Sequence, residues 1–190
     1  MPDSPPVGRR ERKKAATRQA IADAALELFL AQGFEQVSVR DIAEKADVST
    51  TTLFAHFPGK EALVFDRDEE VEAELIAAVR ERPEGQSVIE ALRAHALKSW
   101  VPIASDPRLR QLTELANRTP ALREYAERMW MRHAGALATA IAAELGREAD
   151  DLACAALARF VLEVPTLTKG RPDPRAVVDT VFDLLLHGWR

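Results

Sequence analysis

Three consecutive hydroxyls, Thr50, Thr51 and Thr52, run into Ala55 and His56, and Lys60 follows one turn later. Short neutral donor-acceptors beside one imidazole and one fixed cation suit hydrogen bonding to base edges and anionic oxygens. They do not suit bond-making. The four histidines, His56, His95, His133 and His187, form no HxxxH or ExxH pair, and the chain has no glycine-rich phosphate loop and no nucleophile elbow. Cys154 is the sole cysteine, so neither an internal disulfide nor a CxxC pair exists; it lies in an alanine-rich stretch and reads as a small buried hydrophobe. No catalytic residue, metal ligand or cofactor is assigned, and an enzyme is not expected.

The hydroxyl run belongs to SVRDIAEKADVSTTTLFAHF, residues 38–57. Ser38 stands where an N-cap belongs, with Asp41 as its acidic first-turn partner, and a short helix runs to about Ala46. Ser49 caps a second, ending near Phe57. Two short helices joined by a tight turn need a small residue at their contact, a turn residue tolerant of positive φ, and apolar residues facing inward. Ala43 meets the first need and Asp47 the second, while Ile42, Val48, Leu53 and Phe57 supply the inward side. Thr50, Thr51, Thr52, Ala55 and His56 then face outward, small enough for the helix to lie deep in a major groove. A plain helical hairpin with a polar face is the alternative for the motif in isolation.

Around the motif the sequence is helical almost throughout. Ile21, Ala25, Leu28 and Phe29 mark one face of a helix from about Arg12 to Gln32, stopped at Gly33. Lys60 opens a long amphipathic helix to about Arg82, ahead of the break at Pro83-Glu84-Gly85. Further helices are expected at 87–100, 106–117, 120–145, 150–164 and 174–188, the third and fifth opened by Thr119-Pro120 and Asp173-Pro174. Residues 165–173, with Pro165, Gly170 and Pro172, read as a loop. No convincing strand and no internal repeat appears.

The net charge of −4 hides an asymmetry: residues 1–20 carry six Lys/Arg against two Asp/Glu. Arg9, Arg10, Arg12, Lys13 and Lys14 make a basic arm that meets phosphates or the minor groove, or else a solvated tail. Three prolines within the first six residues suggest a disordered lead-in. No apolar run reaches about 18 residues and the N-terminus lacks the apolar core of a secretory signal, so a cytoplasmic protein without membrane contact is expected.

Taken together, residues 15–75 resemble the DNA-binding domain of the TetR family of transcriptional regulators. The matching pieces are Ala25-Leu26-Glu27-Leu28-Phe29 with Gly33-Phe34, Val39 to Ala43, Val48 to Leu53, and His56 to Glu61. The resemblance implies an all-α fold of about nine helices. Residues 1–11 would be a disordered or basic arm, 12–62 a three-helix helix-turn-helix head, and 63–190 a helical bundle for ligand binding and dimerisation. It implies that Thr50, Thr51 and Ala55 face bases and that Arg40 reaches a base or a phosphate. Ser38, Thr52, His56 and Lys60 would hold the phosphate backbone. Two departures stand out: Asp47 replaces the usual turn glycine, and Phe54 replaces a frequent tyrosine, removing one hydroxyl from the DNA face.

The implied partners are double-stranded operator DNA, a second copy of the chain and a small hydrophobic effector. Phe160 on one helix and Val178, Phe182, Leu185 and Trp189 on the last belong to two apolar stripes wider than one helix pair needs. An intermolecular four-helix bundle is the expected use, with an intramolecular core as the alternative. Trp100, Leu112, Leu115, Trp130 and Leu137 are the candidate lining of an apolar effector cavity, although aromatics at helical spacing are also ordinary core. Asn117 to Leu122 is similar to the C-terminal domain of mycofactocin-type regulators, which implies an acyl-CoA-like effector. The arginines of 106–132 fit that ligand or a solvated face. The expected function is therefore a repressor that binds a palindromic operator and is released by its effector. A small-molecule binding protein with a vestigial helix-turn-helix is the other reading.

Overall fold

The computed structural model describes residues 8–188, and the described residues are all-helical. The helices are α1 (Arg9–Gln32), α2 (Val39–Lys45), α3 (Thr50–His56), α4 (Asp68–Arg80), α5 (Val88–Ser105), α6 (Pro107–Arg118), α7 (Pro120–Glu144), α8 (Leu152–Thr168) and α9 (Pro174–His187), with a 3₁₀ turn at Glu61–Leu63. They divide into two compact units. One runs through Asp66 and takes in Glu114–Arg123; the other holds Arg67–Thr113 and Glu124 onward.

In the first unit α1 packs on α2, α3 and the 3₁₀ turn. Ile21, Ala25 and Phe29 of α1 are buried together with Phe34, Ile42, Ala43, Leu53 and Phe57. Two positive-φ residues shape the connections: Gly33 at 84° after α1, and Asp47 at 53° between α2 and α3. The left-handed region costs an L-residue about 1–2 kcal/mol, less for Asp, whose short polar side chain bonds locally. Asp47→Val should therefore lower stability by about 1–2 kcal/mol, whereas Asp47→Gly should leave it unchanged or raise it by up to about 1 kcal/mol. Urea unfolding measures both; equal destabilisation by the two would show that Asp47 acts through its side chain and not its φ.

In the second unit α5 packs on α4, α8 and α9. Its core includes Leu75, Leu92, Ala96, Leu137, Ile141, Ala158, Val161, Val178 and Phe182. Polar ties cross between helices at the rim. Arg93 of α5 bonds Asp179 of α9 at 2.8 Å. Asp68, the first residue of α4, accepts from Arg132 at 2.5 Å and lies 2.7 Å from the Nε2 of the fully buried His133 of α7. Cys154 is buried, and burial followed by the Asp151 carboxylate pushes its thiol pKa up, which suits a core position and not a nucleophile.

Four expectations need correction. The helix from Lys60 to Arg82 is not continuous: α4 begins only at Asp68. Ala62 and Leu63 are buried on the 3₁₀ turn and Val64 directly after it. Asp68, Glu69 and Glu70 then provide the acidic first turn that favours a start there. α8 runs through Pro165 to Thr168, where a loop was expected, because buried Val164 and Thr168 hold the last turn to the core and the Thr168 hydroxyl bonds the Pro165 carbonyl at 2.8 Å. α5 likewise passes Pro102 and ends at Ser105. α1 begins at Arg9, ahead of the expected start at about Arg12.

Candidate nucleic-acid interface

The candidate surface is built from caps and two buried anchors. Ser38 closes a capping box on α2: its hydroxyl accepts from the Asp41 amide at 3.2 Å and donates to the Asp41 carboxylate at 2.7 Å, while its own amide donates to that carboxylate at 2.8 Å. These bonds, the side-chain one first, hold Asp41 below the usual carboxylate range. Ser49 caps α3 in the same way, accepting from the Thr52 amide at 3.0 Å, with the two hydroxyls 2.8 Å apart. Leu53 and Phe57 are fully buried and set the rotation of α3 about its axis. That rotation leaves Thr50, Thr51, Phe54 and Ala55 exposed on one side, with Arg40 exposed at the start of α2.

The predicted contact residues therefore divide. Thr50, Thr51, Ala55 and Arg40 stand free on the surface. Ser38 and Thr52 already spend hydroxyl bonds on the caps, so their first task is to hold α2 and α3 in place. Lys60 is half-buried, its ammonium 4.1 Å from the centroid of the Phe34 ring and 6.0 Å from that of Phe29. Aromatic faces hold a cation without neutralising it, so it stays available to an anion.

His56 is half-buried at the end of α3. Burial, then the cations Lys14 and Arg18, hold its imidazole pKa below the ordinary value of 6.5. Its Nδ1 is buried without a partner, which leaves Nε2 for an external acceptor. Sequence reasoning missed Arg18 beside it and placed Lys14 only in the basic arm. Arg18 donates to the His56 carbonyl, and Lys14 lies close enough to act on the ring. Both sit on the polar face of α1, which looks like a solvated stripe until α3 is placed beside it.

The profile described as bacterial regulatory proteins, tetR family, matches residues 21–66. That of the MftR C-terminal domain matches residues 83–188, more than half of the chain. The chain belongs to the TetR family. Among its relatives, the HTH-type transcriptional regulator TcmR of Streptomyces glaucescens is 34% identical over 152 residues, 76% of this chain and 67% of TcmR. The HTH-type transcriptional repressor KstR of Rhodococcus jostii is 30% identical over 169 residues, 89% of this chain and 69% of KstR. The fold is also that of FadR from Bacillus subtilis, solved in complex with stearoyl-CoA, at a TM-score of 0.58 and 24% identity over 90% of this chain and 99% of FadR. This TetR-family chain is thus a DNA-binding transcriptional regulator.

The remaining candidates fall in the second unit or on α6. Trp100 and Leu137 lie in the apolar core, and Trp130 packs against it. Leu112 and Leu115 are half-buried on α6. An open cleft of about 180 Å³ near the start of α8 is lined by Ile141, Leu145, Arg147, Ala153, Cys154 and Leu157, and shares no residue with the expected effector lining. Val178 and Phe182, expected at a dimer seam, are fully buried within the chain's own core and cannot present surface to a second copy. Leu185 is half-buried against the same core, Phe160 is 59% exposed, and Trp189 lies outside the described residues.

Proposed function

We propose that this TetR-family regulator is a cytoplasmic homodimeric repressor that reads a palindromic operator through α3 and is released by a small hydrophobic effector. The observation that carries the reading is the face of α3. Thr50, Thr51 and Ala55 lie open to solvent while Leu53 and Phe57 anchor the other side. An intact polar reading face on a buried footing argues against a vestigial motif. In this reading Thr50, Thr51 and Ala55 meet base edges, and Arg40, His56 and Lys60 meet phosphates. The exposed cations at the start of α1 sit at the positive end of a helix, an unfavourable place that phosphates would relieve.

The dimer is proposed on α8. Leu152, Phe160 and Leu167 are 83%, 59% and 47% exposed. At 3.6 residues per turn they fall within a sector of roughly 80°. Large exposed apolar side chains on one stripe mark an interaction surface, and a second copy offers a self-complementary partner. The effector is proposed to be acyl-CoA-like, as the likeness to mycofactocin-type regulators implies, with Trp100, Leu112, Trp130 and Leu137 of the second unit as its candidate lining.

The test is selection of duplexes from a randomised pool by the full chain, followed by footprinting. An inverted repeat with half-sites spaced by about one helical turn, roughly 34 Å, is expected. No enriched sequence would remove the reading. On the selected duplex, Lys60→Ala should lower the salt slope by roughly 0.9, the share of one phosphate contact; an unchanged slope would place Lys60 off the DNA. A titration with acyl-CoA thioesters should weaken operator binding by roughly 5- to 150-fold, and no effect from any thioester would remove that effector class.

His56 provides a pH test. In the free protein the lowered pKa keeps it neutral at pH 7, while a phosphate at Nε2 favours the charged form and raises the pKa in the complex. Between the two pKa values the complex holds more protons than the free partners. Operator affinity should therefore rise as pH falls through this window, by at most about ten-fold per unit of difference. Titrations at constant ionic strength should show this rise for the wild type and lose it in His56→Gln. The same profile in both would separate His56 from the phosphate.

A further inference from the structure

We propose that Arg18 is the positioning residue of the recognition helix, a buttress on α1 that fixes the base-reading face of α3 without touching DNA. α3 has seven residues, too few to be stable or to hold its direction alone. Its N-terminal end is held by the Ser49 cap, whereas the His56 carbonyl at its other end lies beyond the last helix-type bond, that from the Phe57 amide to the Leu53 carbonyl. The half-buried guanidinium of Arg18 supplies one. It donates to the His56 carbonyl at 2.8 Å and, through its other terminal nitrogen, to the Asp66 carbonyl at 2.5 Å. Its plane carbon lies 4.3 Å from the centroid of the buried Phe57 ring.

Three contacts at fixed mutual angles define a position, and a planar fork can make them together where an ammonium cannot. The positive charge also meets the negative end of the α3 dipole. Asp66 lies in the turn between the 3₁₀ segment and α4, so one side chain of α1 ties the end of α3 to the turn that ends its exit segment. With both terminal nitrogens turned to backbone carbonyls and its plane over Phe57, Arg18 acts as an internal strut and not a phosphate ligand.

This inference rests on α3 being the base-reading helix, and the experiment separates the two. The full chain first selects its duplex from the randomised pool; failure of the wild type to enrich any sequence removes the underlying reading. Arg18→Gln and Arg18→Lys are then compared with wild type on the selected duplex and on a scrambled one, across a salt series. Arg18→Gln should weaken the selected duplex by at least about ten-fold, the scale of one lost hydrogen bond to a charged group. The scrambled duplex should change by less than about three-fold, and the salt slope should stay within about 0.3 of wild type, since no phosphate contact of roughly 0.9 is removed. Arg18→Lys should resemble Arg18→Gln, because one ammonium cannot bridge both carbonyls and stack on Phe57. A slope lowered by about 0.9, equal losses on both duplexes, or full rescue by lysine would overturn the proposal. So would loss of the helical circular-dichroism signal in both variants, which would make Arg18 a stability residue.

Discussion

Phe160→Arg is expected to turn the dimer into monomers and to abolish operator binding at concentrations where the wild type is saturated. Phe160 is 59% exposed in the single chain and shares its stripe of α8 with Leu152 and Leu167. A phenyl ring so placed loses little when replaced in an isolated chain. In a seam between two copies, however, each arginine would be desolvated without a partner, at about 3–5 kcal/mol. Even the lower figure corresponds to more than about a hundred-fold in the dimer dissociation constant. Sedimentation equilibrium should show the monomer, while circular dichroism should show unchanged helicity. Operator affinity should collapse with the dimer, because one recognition helix keeps only half of the contacts. A variant that remains dimeric and DNA-competent would place the interface away from this stripe.

Phe182→Ala should produce a large loss of a different kind. Phe182 and Val178 are fully buried on the side of α9 that faces the core built with α5 and α8. Removing a buried phenyl costs about 3–5 kcal/mol through lost transfer energy and the cavity left behind. Set against a typical total of about 5–15 kcal/mol, that loss should move the urea midpoint far down at unchanged m. The decisive comparison repeats the measurement in a Phe160→Arg background. A core residue keeps its full cost in the monomer, whereas a seam residue loses it. A penalty that vanishes in the monomer would return Phe182 to the dimer interface.

What the sequence by itself determined is what short-range chemistry decides. Ser38 with Asp41, Ser49 with Thr52, and Asp173 ahead of Pro174 mark helix starts because capping acts over three residues, and each cap is formed. Asp47 could be read as the positive-φ turn because few other L-residues tolerate that region, and its φ is 53°. The outward set on α3 followed from Leu53 and Phe57, since helical spacing leaves one rotation that buries both.

Tertiary structure decided what depends on a neighbour distant in the chain. An apolar stripe shows that a face is buried, not whether its partner is another helix of the same chain or a second copy; α5 took up Val178 and Phe182 and left Phe160 outside. Packing of Val164 and Thr168 carried α8 past a proline that local rules read as a stop. The break before α4 falls just after the 3₁₀ turn, where Ala62, Leu63 and Val64 are buried in the first unit. Arg18 was illegible for the same reason: its partners are the His56 and Asp66 carbonyls, 38 and 48 residues away. Backbone carbonyls carry no side-chain signature, so only folding brings this cation to the end of the helix it supports.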